Sequence, residues 1–84
     1  MTQLERIRHE VGRIITEELN IELHSTDSDL IDTGLLDSLS LVEMLTHLEQ
    51  RFGIPVDLGS LELDNLRTIS RIGDFVASEL APHA

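Results

Sequence analysis

Between Asp37 and Pro55 this chain writes out both ends of a helix. Asp37 has the short acceptor side chain that a helix N-cap needs, which makes Ser38 the first helical residue. Gly53 follows Phe52 as a C-cap, and Pro55 forbids continuation. Inside these limits Leu39, Val42, Leu45, Leu48 and Phe52 read as an apolar stripe of period about 3.6. Fifteen residues at about 1.5 Å each predict a rod of roughly 22 Å. A serine hydroxyl is thereby expected at the mouth of a helix, outside the stripe and beside a glycine-containing loop.

That position has chemical consequences. The first-turn N–H groups of a helix lack internal partners, and the macrodipole adds partial positive charge there. A phosphate ester on Ser38 would lie in a field worth about 0.3–1 kcal/mol at an exposed site. Position alone does not name the modification, because any serine at the first helical position has the same field.

The remaining chain supplies helices to pack against this one. Thr2 and Glu5 form an S/T-x-x-E capping box, and Leu4, Ile7, Val11, Ile14 or Ile15, and Leu19 repeat at helical spacing. They predict a first helix reaching about Leu19, with Gly12 marking either a close helix crossing or a tolerated glycine. Residues 20–36 form a long connection, and Ile21, Leu23, Leu30, Ile31, Leu35 and Leu36 are expected to pin it to the core. Gly34 is expected in a conformation unfavourable to other residues. After an irregular link, residues 60–66 predict a short helix or 3₁₀ turn with Leu61, Leu63 and Leu66 pointing inward. Thr68 caps a last helix with Ile69, Ile72, Phe75, Val76 and Leu80 inside, weakened slightly by Gly73. The expected fold is an all-α bundle of three longer helices and one short third helix, with a long first loop.

Eighty-four residues suffice for one domain, residues 1–84, with no second core. Only two residues are aromatic, so that core has to be aliphatic. No cysteine is present, which removes disulfides, thiolate metal sites and a cysteine nucleophile. The net charge is −10, and nine carboxylates with no Lys or Arg fall within residues 14–50. Such a surface repels nucleic acid and anionic lipid and attracts basic protein patches. No apolar run approaches the roughly 20 residues of a membrane span, and the N-terminus lacks a signal-peptide pattern. A cytoplasmic, monomeric protein is the expectation.

Asp37-Ser38-Leu39 opening a helix after an acidic loop, with Phe52-Gly53-Ile54 closing it, resembles the acyl carrier proteins. The likeness covers nearly the whole chain and is sharpest over residues 29–56. It implies the four-helix acyl-carrier fold and a 4′-phosphopantetheine arm on Ser38, whose thiol holds an acyl or aminoacyl group as a thioester. Asp37 would then cap the helix and help present the serine to a phosphopantetheinyl transferase. The resemblance carries over Leu39, Val42, Glu43 and Glu49 as contacts for basic partner surfaces. Those partners would be an adenylating ligase and a downstream acyltransferase or synthase, with no catalysis by the carrier itself. Fatty-acid carriers show Gly-x-Asp-Ser-Leu, whereas Gly34-Leu35-Leu36-Asp37-Ser38 places two residues between glycine and aspartate. This spacing is more similar to D-alanyl and other aminoacyl carrier proteins. Thr46 and His47 also replace residues that are apolar or small in fatty-acid carriers.

Other chemistries fit less well. Asp27, Ser28, Asp29 and Asp32 fail the calcium-loop pattern, which would place Ile31, Asp32 and Ser38 where an acceptor, a glycine and a glutamate belong. His9, His24, His47 and His83 form no i, i+4 pair, and His47 reads as a solvated surface residue. A hydrolase serine needs a base and an orienting group, and neither the G-x-S-x-G elbow nor a downstream Asp-x-x-His is present. The competing reading is an unmodified acidic helical module that regulates or scaffolds a basic partner.

Overall fold

The computed structural model describes residues 2–22, 27–56 and 61–80, and these contain helices and turns but no strand. Helix α1 is Gln3–Arg13, begun by Thr2, whose hydroxyl accepts the Glu5 amide at 3.1 Å. Helix α2 is Ser38–Phe52 and α3 is Ile69–Leu80, preceded by a 3₁₀ turn at Leu63–Leu66. The expected all-helical fold is what forms, with the short third helix reduced to that single turn.

Helix α1 does not run on regularly to Leu19. From Ile14–Glu18 it widens into a π turn, closed by the Leu19 amide donating to the Ile14 carbonyl at 3.1 Å. The wider turn resolves the choice between Ile14 and Ile15, because both face inward and both are fully buried. Asn20 then takes φ 59, a left-handed conformation that asparagine tolerates, and the chain leaves the helix there.

Helix α1 packs chiefly on α3, while α2 lies against α3 and the π turn. Among the described residues the buried side chains are Ile, Leu, Val and Met only, contributed by α1, the π turn, α2, α3, the 3₁₀ turn and the loops. Each such burial is worth about 1.5–3 kcal/mol relative to exposure. Leu30 and Leu36 are buried and Ile21, Ile31 and Leu35 partly so, which anchors the long first connection; Leu23 lies outside the described residues. A Cβ on Gly12 would meet Ile69 at an ordinary 3.8 Å, so no close crossing requires that glycine.

Four leucine and valine side chains expected inside stand at the surface. Leu63 opens the 3₁₀ turn and is 48% exposed, so of the two leucines in that turn only Leu66 is driven into the core. Leu80 ends α3 where its packing runs out and is 38% exposed. On α2 the inner face is Leu41, Met44, Leu45, Leu48 and Phe52, whereas Leu39 and Val42 stand outside at 69% and 49% exposure. Steps of three residues drift by about 60° each at about 100° per residue, so Leu39 and Leu48 cannot share a face.

Candidate functional site

The site is assembled from the loop that delivers the chain to α2. Asp29 starts it: one carboxylate oxygen accepts the amides of Ile31 (3.1 Å) and Asp32 (2.9 Å). Its backbone carbonyl accepts the amide and hydroxyl of Thr33, at 3.1 and 2.7 Å. The resulting turn closes through the Gly34 amide on the Ile31 carbonyl, and Gly34 takes φ 77, as its position predicts. The Leu36 amide then donates to the Leu30 carbonyl at 2.9 Å, so the loop is fastened one residue before the helix cap.

Asp37 caps α2 from an extended backbone, φ −92 and ψ −176. Its side chain accepts the Ser40 amide at 2.8 Å and its carbonyl accepts the Leu41 amide at 2.9 Å. The Ser40 amide bond is the main reason its carboxyl is held below the ordinary carboxylate range. Ser38 follows as the first helical residue with its side chain exposed. Capping thus occupies the neighbouring acid and leaves the serine hydroxyl facing solvent at the positive end of the helix.

Beside Ser38 the outer surface of α2 carries Leu39 and Val42, both exposed, with exposed Glu43 and Glu49. No arginine among the described residues pairs with either glutamate; arginine pairs go instead to Glu10, Glu17, Asp29, Asp32, Asp64 and Asp74. Apolar side chains flanked by unpaired carboxylates therefore lie on the same helix as the serine. Met44, two residues beyond Val42, is fully buried and takes no part in this surface. His47 is half-buried instead of solvated and lines a hollow with Ile14, Glu18, Gln50 and Arg51.

One contributor carried no local signal in the sequence. Arg67 reaches from the 3₁₀ turn to Asp29 (3.3 Å), Asp32 (3.5 Å) and Asp64 (2.7 Å). Its own carbonyl accepts the Leu30 amide at 2.7 Å. Of the acids that looked like a failed calcium loop, Asp29 caps the turn and, with Asp32, holds this guanidinium, while Asp27 accepts the Ser70 hydroxyl. Asp29 is kept below its ordinary value first by the Asp32 amide and further by Arg67.

Residues 9–76 match the sequence profile of a family described as "Phosphopantetheine attachment site". Over 72 residues the chain is 43% identical to the D-alanyl carrier protein of Streptococcus sanguinis (strain SK36), covering 83% of this chain and 90% of that protein. It is 41% identical over 46 residues to the D-alanyl carrier protein of Streptococcus pyogenes serotype M5 (strain Manfredo), covering 55% and 58%. The chain belongs to the phosphopantetheine-attachment family. It is a carrier whose working group is a 4′-phosphopantetheine joined covalently to a serine, and the chemistry on its cargo is done by other proteins. No helix among the described residues is long and apolar enough to cross a membrane.

Proposed function

We propose that Ser38 is the serine that bears the arm and that the cargo is an amino acid. The exposed hydroxyl of Ser38 at a capped helix start carries the first part of this reading. A phosphate ester placed there would face the positive end of α2, with Asp37 already engaged by Ser40 and so not left idle beside it. In loading, the Ser38 oxygen attacks the phosphorus of coenzyme A that adjoins the pantetheine. A P–O bond forms, the pyrophosphate bond breaks, the adenosine bisphosphate leaves with the electron pair, and the serine proton passes to the transferase. The bound arm supplies a thiol that holds the cargo as a thioester.

The names of the relatives, together with the two-residue spacing between Gly34 and Asp37, support an aminoacyl cargo over a fatty-acyl one. Leu39, Val42, Glu43 and Glu49 form the surface offered to the transferase, to an adenylating ligase and to the acyltransferase or synthase that takes the cargo. Unpaired carboxylates around an apolar pair suit basic partners, speeding encounter and fixing orientation. The carrier would work in the cytoplasm, where coenzyme A and adenylating enzymes are found.

The test is intact mass before and after incubation with coenzyme A and a broad-specificity phosphopantetheinyl transferase. One phosphopantetheine should be gained by the wild type and by Ser40→Ala, and none by Ser38→Ala. No gain by folded wild-type protein would leave the unmodified interaction module. Efficient loading of the modified protein with fatty acids and with no amino acid would sink the cargo reading.

A further inference from the structure

We infer that Arg67 is a positioning residue for arm transfer, setting where Ser38 stands although it is 29 positions further along the chain. The inference rests on the reading of Ser38 as the attachment site. A continuous set of bonds connects the two. The Arg67 side chain holds Asp29 and Asp32, and the Arg67 carbonyl holds the Leu30 amide. Leu30 in turn holds the Leu36 amide through its own carbonyl, and Leu36 directly precedes Asp37 and Ser38. The buried side chains of Leu30 and Leu36 pin the same two points into the core.

The planar fork of Arg67 suits this role, since its Nε meets Asp64 while Nη1 meets Asp29 and Asp32. It thereby ties the 3₁₀ turn to the loop that aims α2. A comparable pair elsewhere, Arg8 with Asp74 at 3.0 Å, joins α1 to α3 and touches nothing in that loop. The arginines are similarly exposed, 33% for Arg8 and 31% for Arg67, so the two pairs differ in location more than in strength.

The experiment measures initial rates of phosphopantetheine transfer to the full chain, by intact mass, across a range of carrier concentrations. Arg67→Gln should lower kcat/KM by at least about tenfold, as misplacement of a reacting atom does, with the loss in kcat and not in KM. Arg67→Lys should recover part of it, and Arg8→Gln should transfer at the wild-type rate. Asp29→Asn gives a second route: its amide oxygen still caps Ile31 and Asp32 but no longer presents a charge to Arg67, and it should slow transfer in the same way. Wild-type rates in both Arg67→Gln and Asp29→Asn, an equal loss in Arg8→Gln, or a loss confined to KM would overturn the inference. Failure of the wild type itself to accept the arm would overturn the Ser38 reading beneath it, a result no Arg67 effect can imitate.

Discussion

Arg8 lies across Gly73, its Cγ 2.5 Å from where a Cβ on that glycine would stand. The collision is with the root of the arginine side chain, so it cannot be relieved by moving the guanidinium alone. The Nε of Arg8 is buried with no hydrogen-bond partner among the described residues, while its Nη2 reaches Asp74.

Gly73→Ala should therefore destabilise the wild-type protein by expelling Arg8 from its seat. In an Arg8→Ala background the same substitution should stabilise by about 1 kcal/mol, the ordinary gain of alanine over glycine inside a helix. Urea unfolding of the four proteins gives the double-mutant cycle, and equal signs in both backgrounds would refute the contact.

Leu45 is buried and Leu39 is 69% exposed, six residues apart on one helix. Leu45→Ala should cost about 2–5 kcal/mol as a core truncation. Leu39→Ala should stay within about 0.5 kcal/mol of wild type, yet weaken aminoacylation by the ligase through a raised KM. Thermal melting and loading assays on the same pair of variants separate the two roles.

Acid should weaken the protein through its caps. Asp37 and Asp29 both titrate below their ordinary value of 3.8 in the fold, so the folded state favours their charged forms. Their contribution is complete above 3.8 and disappears as pH falls through the lowered folded values. Asp37→Asn keeps an oxygen for the Ser40 amide but has no charge to lose. Its stability deficit against wild type, followed by circular dichroism, should shrink on acidification; a constant deficit would remove the charge from the explanation.

Gly34 has φ 77 and open space where a Cβ would go. Gly34→Ala should then cost about 1–2 kcal/mol of backbone strain alone, and Gly34→Asn less, since asparagine tolerates that conformation. Midpoints of urea unfolding at unchanged slope would report this. A cost for asparagine equal to that for alanine would point to steric contact instead.

What could be read from the sequence was what contiguous residues encode. The ends of α2 at Asp37 and Gly53, the Thr2 cap and the Thr68 cap each depend on a residue type beside the helix it bounds, and all four were legible. Ser38 was legible as a helix-start serine for the same reason. Which way α2 faces was not, because Leu39, Val42, Leu45 and Leu48 look periodic while winding around the rod. The π turn was hidden because Ile14 and Ile15 read as alternatives, and only packing shows that both are needed. The Arg67 contact joins residues 38 apart, and a carboxylate at 29 has nothing local to announce its partner at 67.

The aliphatic core has an optical consequence. The chain has no tryptophan or tyrosine, and Phe52 and Phe75 are only partly buried at its margin. This protein is therefore nearly dark in the near ultraviolet, whether folded, unfolded or loaded. Any tryptophan emission seen in a mixture with an enzyme belongs to that enzyme, and a change in it on mixing reads association directly, without a dye on either protein.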